Sequence, residues 1–424
     1  MSFSLEKILE AAASHPFYST SITTALPSSK ITLQSFPLIA KYQLHKFIIS
    51  ALESDPTFLR GTYLSPTGGT TGTVGSRFFF VTDTGENRRQ REKTGQLMRD
   101  LGAVDENDVV LNMHSGQSLY RSLELTGELI EHAHATNIPV GVSYPDEAMV
   151  NLILQLRPNV ITGTSSRILT FARYLLSRPE IDITFQKVLY TSEPLPTYQE
   201  EYMRKALRCD SVSSLLGSAE GGVWAVAPPS KTLHGSRPYR EFVFRNDMMV
   251  VEIMDDDGAP VPTGEVGEII LTSLMRLRNP LVRYRTGDVG SLHRYTCAKN
   301  PEIQYQCLHM YGRHPDKSFS ISGEYVDLVE LERVMQLEKW GILEWQVIVD
   351  SDHVGSTEES VEFRVVMKDG TAEKDLLDDL RSKLVAISGG SSTITAKFTV
   401  KEVEYAGLEK GELANKIRKI VDRR

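Results

Sequence analysis

Cysteine is scarce: Cys209, Cys297 and Cys307 are the three in 424 residues. A disulfide framework is therefore excluded, and a four-cysteine zinc site cannot be built. Cys297, Cys307 and His309 form a partial ligand set, short of what structural zinc takes. Positive charge is in deficit as well, with 47 Lys and Arg against 55 Asp and Glu, a net charge of −8. A dedicated polyanion binder is not expected from that balance, although a local basic groove is compatible with it. No run of about 18 apolar residues goes without a charge, so no membrane span is predicted. Glu6, Lys7 and Glu10 interrupt the start of the chain and break any signal-peptide core. The expectation is a cytoplasmic protein that partners neither nucleic acid nor membrane.

What is present suffices for a core: 41% of residues are hydrophobic and 8% aromatic. The length suggests two to three domains of roughly 150 residues. Leu5, Ile8 and Leu9 stand at helical spacing and predict a short amphipathic helix. Short apolar runs at 108–113, 138–142, 159–162 and 187–191 alternate with stretches of helical period such as 118–135 and 146–156. That alternation predicts a parallel sheet with helical crossovers. From residue 248 the texture changes to two strand-like runs joined by a Gly/Pro-rich connection, an antiparallel element. The last hundred or so residues predict a small α+β unit that ends in a helix. The fold class expected is α/β: a large N-terminal domain of mixed sheets with flanking helices over 1–312, and a small, mobile α+β lid over 313–424. The cut falls at YGRHPDK, where Gly and Pro stand between ordered stretches.

Three stretches carry chemistry. Residues 65–76, SPTGGTTGTVGS, hold four Gly and four Thr. Clustered backbone N–H groups and hydroxyls of this kind wrap a polyphosphate, and Gly allows close approach to an oxyanion. A surface hairpin is the competing reading, and the mononucleotide-kinase P-loop is excluded because the stretch contains no Lys. Residues 215–222, LLGSAEGG, set Glu220 among small neighbours, where a carboxylate can reach Mg²⁺; a plain turn is the alternative. In YRTGD, 284–288, Asp288 in a Gly turn can accept two ribose hydroxyls, or be an ordinary turn residue.

Taken in this order the three resemble the adenylate-forming enzymes: acyl-CoA synthetases, adenylation domains and luciferases. Within that superfamily the wording is most like phenylacetate–CoA ligase. The stretch with Gly68, Gly69, Thr70, Thr71 and Gly72 is similar to S-S-G-T-T-G-K-P. TSEPLP, with Ser192, Glu193 and Pro194, resembles the G-A-E-P-W segment that lies along adenine. LLGSAEGG, with Leu216, Gly217, Ser218 and Glu220, resembles Y-G-x-S-E, and RTGD matches the ribose-binding motif. GRHPD at 312–316 resembles the G-R-x-D-D hinge, and PNVITGTSS resembles P-T-V-L-x-G-T-P-S. NKIRKIVDRR is similar to G-K-A-x-R-V-x-D-x-R.

The resemblance implies that Gly68 to Gly72 hold the β/γ-phosphates and Glu220 holds Mg²⁺. It implies further that Asp288 and Arg313 fix the ribose, and that Lys416 is the catalytic cation. His114 and Gly221 are candidates for the acyl pocket, a satisfied structural His being the competing reading for His114. The implied reaction joins a carboxylic acid, expected to be aryl or arylacetyl, to ATP as acyl-AMP. The acyl group then passes to coenzyme A or, alternatively, to an amine or a carrier protein. Thr73 and Val74 replace the Lys-Pro of the phosphate loop, with Arg77 four residues beyond Thr73. Leu216 replaces a Tyr, Asn415 a Gly, and Pro315 the hinge carboxylate. A nucleotide-binding protein without turnover is the reading from a different class. It draws on the missing loop Lys and on Leu216, and is opposed by the retained Glu220, Asp288, Arg313 and Lys416. Elsewhere, RRQREK at 88–93 predicts a solvated helix face, and His132 and His134 are expected on different faces, not as a metal pair.

Overall fold

A computed structural model describes residues 2–19, 31–66, 79–116, 119–192, 195–233, 237–313, 318–321, 324–351, 359–368, 374–387, 398–410 and 417–423. The helices are α1 (Leu5–Ser14), α2 (Pro16–Ser19), α3 (Lys41–Ser54), α4 (Thr84–Leu101) and α5 (Ser122–His132). They continue with α6 (Asp146–Leu156), α7 (Ser165–Leu176), α8 (Thr197–Leu207), α9 (Leu328–Met335) and α10 (Lys374–Ile387). The strands begin with β1 (Thr62–Pro66), β2 (Phe79–Asp83), β3 (Val109–Asn112), β4 (Thr136–Pro139), β5 (Val160–Thr164) and β6 (Lys187–Thr191). Next come β7 (Ser211–Ser218), β8 (Gly222–Ser230), β9 (Arg240–Arg245), β10 (Met249–Met254), β11 (Gly267–Ser273), β12 (Tyr284–Tyr295) and β13 (Tyr305–Arg313). The last are β14 (Ser318–Ile321), β15 (Glu324–Asp327), β16 (Ile342–Ser351), β17 (Glu359–Met367), β18 (Phe398–Glu402) and β19 (Ile420–Asp422).

Eleven strands make one sheet in the order β10-β11-β12-β13-β9-β8-β7-β6-β5-β3-β4. From β4 to β7 the pairs are parallel, and from β7 outward to β10 they are antiparallel. Successive side chains of a strand face opposite sides. Val110, Val160 and Leu189 accordingly pack with Leu97 and Met98 of α4 and Leu129 and Ile130 of α5. Their neighbours Leu111, Ile161 and Val188 pack with α6, α7 and α8 on the other face. Both faces are covered, which is why the parallel strands read as unbroken apolar runs. Local signals agree with the helix starts. Asp83 caps α4 by accepting from the N–H of Gly85 and Glu86, and Thr164 caps α7 through the N–H of Arg167.

The C-terminal part holds the β14/β15 pair and a four-stranded sheet, β18-β17-β16-β19. Leu343, Val366, Tyr405, Leu408 and Ile417 from this part join the core formed by α6, α7 and α8. Gln199 of α8 donates to the Leu343 carbonyl at 2.6 Å, and Arg173 of α7 pairs with Glu404 at 2.6 Å.

Three local expectations are corrected. Where a terminal helix is predicted, the described residues hold a short strand: Ile420 and Val421 of β19 pair parallel with Val347 and Ile348 of β16. β-Branched residues such as Ile420 and Val421 fit that sheet edge. The 88–93 face is not solvated throughout, since Gln90 and Arg91 are buried along with nearby Glu86. RTGD is not a free turn but part of β12, kinked at Gly287 with φ +71°. Among the described residues no helix is long and apolar enough to cross a membrane, and no group of three or more His, Cys, Asp or Glu could hold a metal.

Candidate functional site

The sheet changes from parallel to antiparallel between β7 and β8, and the two are joined by Ala219, Glu220 and Gly221 alone. So tight a connection depends on small residues. A Cβ on Gly217 would lie 2.6 Å from the Gly222 carbonyl oxygen, and Gly222 itself has φ +69°. The hairpin is fixed to α4, where Gln90 Nε2 donates to the carbonyls of Gly221 at 2.8 Å and Val223 at 3.2 Å. Thr94 Oγ1 donates to the same Val223 carbonyl at 2.9 Å. These bonds explain the burial of Gln90 and Thr94 on α4, whose side-chain donors find backbone acceptors.

Glu220 is 4% exposed. Its Oε1 accepts from the Tyr284 hydroxyl at 2.5 Å and lies 3.6 Å from Lys41 Nζ. Its Oε2 is buried and makes no hydrogen bond with the described residues. Arg276 donates to the Glu220 carbonyl. Burial pushes the Arg276 guanidinium down to about 10, with Glu86 and Glu220 opposing the shift. Glu86 accepts from the backbone N–H of Leu277 at 3.0 Å and Arg278 at 3.3 Å, yet burial raises its carboxyl above the ordinary range. Lys41 reaches the site because Ile39 runs beside β12: Ile39 N–H donates to the Arg283 carbonyl, and Arg285 N–H to the Ile39 carbonyl.

The other predicted residues divide into those the structure places and those it does not describe. Asp288 and Arg313 stand directly opposite each other in the β12/β13 ladder, beside an irregularity at Val289/Gly290 and a Gly312 with φ +119°. Ser192 follows β6 with φ +76°, an uncommon conformation for a residue other than Gly, and it is exposed. Leu216 lies opposite Ala225 and packs beside Trp224, while Gly217 and Ser218 are exposed. His114 follows β3, is buried, and its Nε2 sits 3.3 Å from Thr162 Oγ1. Gly221 is buried under the Gln90 bond. His114, Ser192 and the 216–221 hairpin thus gather at the C-terminal ends of β3, β6 and β7, where open α/β sheets bind ligands. Gly68, Gly69, Thr70, Thr71, Gly72, Glu193, Pro194 and Lys416 lie outside the described residues. The strands on either side of the Gly/Thr stretch, β1 and β2, pair antiparallel with Pro66 opposite Phe79.

Tyr284, Lys41, Arg276, Glu86 and Gln90 were not expected at this site. Tyr284 had a signal, since it immediately precedes RTGD. The others come from distant segments and carry no motif of their own.

No family model matches the chain. It is 27% identical to indoleacetate–lysine synthetase of Pseudomonas savastanoi over 213 residues, 50% of this chain and 46% of that protein. It is 24% identical to phenylacetate–coenzyme A ligase of Thermus thermophilus over 296 residues, 66% of this chain and 63% of that one. The matches thus span less than two thirds of either relative's length. Among solved structures, 2-hydroxyisobutyryl-CoA ligase in the postadenylation state with 2-HIB-AMP superposes with a TM-score of 0.71. That match covers 99% of this chain and 88% of the other at 18% identity. The chain has the fold of the adenylate-forming ligases.

Proposed function

We propose that this protein is an ATP-dependent acid ligase: it joins a carboxylic acid to ATP as acyl-AMP with release of pyrophosphate, then passes the acyl group to coenzyme A. The observation that carries the reading is Glu220, a buried carboxylate with one oxygen that no described residue serves, at the C-terminal edge of a sheet with this fold. Arylacetyl or aryl acids are the proposed substrates, because two relatives are named for indoleacetate and phenylacetate. Residues 1–312 and 313–424 are proposed to act as the nucleotide-binding domain and its lid, in a cytoplasmic enzyme.

The donor set fits Mg²⁺, which takes one or two carboxylates and otherwise phosphate and water. Glu220 would hold it, and the metal when bound neutralises phosphate charge. The chain's own residues do the rest. Tyr284 holds Glu220 in one orientation through its hydroxyl, and Asp288 with Arg313 would fix the ribose from facing strands. Gly68, Gly69, Thr70, Thr71 and Gly72 would donate to the β/γ-phosphates. Ser192, Glu193, Pro194 and Leu216 would line the adenine, and His114 and Gly221 the acyl group. Lys416 would stabilise charge at the reacting phosphate and carboxylate. Positioning of this kind yields roughly 7–11 kcal/mol without a catalytic dyad.

The test is acid-dependent exchange of pyrophosphate into ATP across a panel of arylacetic and benzoic acids. Exchange with at least one acid is expected, and Lys416→Ala should slow it by about a hundredfold or more. No exchange with any acid, alongside measurable ATP binding, would favour a protein that binds nucleotide without turnover. Transfer to an amine is the second reading, favoured by the likeness to a lysine synthetase. Single-turnover consumption of pre-formed acyl-AMP by coenzyme A and, separately, by lysine decides between the two acceptors.

A further inference from the structure

Residues 61–76 contain neither Lys nor Arg, and Arg77, which follows at once, lies outside the described residues. The structure sets a cation beside Phe80, in the strand that follows the stretch. Lys41 opens α3, and its Nζ lies 3.6 Å from Glu220 Oε1 on one side and 5.8 Å from the centre of the Phe80 ring on the other. Phe80 pairs with Ser65, one step from the Pro66–Phe79 pair that flanks 67–78. The ammonium therefore stands between the proposed metal-binding carboxylate and the strands that lead into and out of the Gly/Thr stretch. Its side chain is 42% exposed against 5% for Glu220. Arg276, the other cation against this hairpin, is fully buried and donates to a backbone carbonyl.

We propose that Lys41 binds the β- and γ-phosphates of ATP, supplying from another segment the charge of the lysine that Thr73 replaces. A lysine suits the task, because its ammonium is a compact charge on a flexible stem that can leave one anion for another. The inference rests on the adenylating reading and adds a residue that no motif carried. It differs from a purely structural role, in which Lys41 only neutralises Glu220.

Calorimetric titration of the whole protein with ATP, pyrophosphate and AMP, first in EDTA and then with magnesium, separates these roles. Lys41→Ala should weaken ATP and pyrophosphate about tenfold in both conditions, the usual cost of one charge-assisted hydrogen bond. AMP should stay within about twofold of wild type, and Lys41→Arg should recover most of the loss. Equal losses for ATP and AMP, or no loss for either, would overturn the proposal. If Lys41→Ala melts early, Lys41→Gln and Lys41→Arg give the same comparison. Wild-type protein that binds neither ATP nor AMP would sink the ligase reading and this proposal with it. Wild-type binding that survives in Lys41→Ala sinks this proposal alone.

Discussion

Glu220 and Glu200 are both carboxylates with almost no exposure, and their surroundings are opposite. Glu200, in α8, is 1% exposed, with Oε1 accepting from Arg204 at 2.8 and 3.1 Å and Oε2 from Arg240 at 2.9 Å. Asp108, at the N-terminal side of the parallel strands, is satisfied in the same way. Its Oδ1 accepts from Asn159 at 2.8 Å, and its Oδ2 from the Asp105 N–H at 2.8 Å and Lys187 at 2.7 Å. Glu220, at the opposite end of those strands, keeps one buried oxygen that no described residue serves. Burying an unserved anionic oxygen is costly, and nothing in the packing of the hairpin requires it. A carboxylate that is fully partnered holds the fold together, whereas one left half-partnered at a ligand-binding edge is set for something that arrives.

The strongest way to break that contrast is Glu220→Gln. The amide oxygen can still accept from Tyr284, so the hairpin and the melting temperature should stay close to wild type. Acid-dependent pyrophosphate exchange should fall about a hundredfold or more, as expected when a charge on the reacting phosphates' metal is removed. The magnesium concentration needed for half-maximal exchange should also rise. Exchange within about threefold of wild type at an unaltered magnesium requirement would reduce Glu220 to a turn residue.

The two halves of the contrast were unequally legible. Strands buried on both faces announce themselves as apolar runs, so 108–113, 159–162 and 187–191 correspond to β3, β5 and β6, while 138–142 is offset from β4 by about two residues. Glu220 could be picked out because its small neighbours leave room, and Asp288 because of its Gly. The partners of Glu220 could not. Lys41 and Arg276 lie 179 residues before it and 56 after it in sequence, and only tertiary folding brings them together. Helix α4 misled because a run such as RRQREK looks solvated by composition. What buries Gln90 is a pair of carbonyls in the β8 region, which composition does not encode. The C-terminal strand was hidden for a similar reason: its pairing with β16 is tertiary.

Glu200→Ala tests the other side of the contrast, with a moderate effect on stability and none on chemistry. It leaves Arg204 and Arg240 without their shared carboxylate. Losing one member of a buried ion pair costs about 3–5 kcal/mol. Arg204 retains the Ser230 carbonyl at 2.7 Å, which favours the lower end of that range. Urea denaturation should show the loss, while exchange per folded molecule stays at the wild-type rate. A large fall in that rate would place Glu200 among the functional carboxylates and dissolve the distinction.

Glu86 sharpens the comparison with the smallest effect, because it lies between the two extremes. Its oxygens accept from the N–H groups of Leu277 and Arg278, but among the described residues no hydrogen-bonded cation offsets its burial, and its carboxyl is raised above the ordinary 4.5. The sign follows from proton linkage. Just above pH 4.5 the folded protein binds more protons at Glu86 than the unfolded chain does. Wild type should therefore lose stability relative to Glu86→Gln as pH rises through that window, and the difference should level off near neutrality. Gln is the right replacement, since its carbonyl can still accept from Leu277 and Arg278 while carrying no proton to exchange. Melting temperatures of both proteins between pH 4 and pH 8 measure the gap, and its slope matters more than its size. Parallel curves, or a wild type that gains on the variant as pH rises, would show that the backbone N–H groups satisfy Glu86 as fully as the arginines satisfy Glu200. In that case burial would no longer separate the three glutamates, and the oxygen of Glu220 that no described residue serves would be the one physical difference left among them.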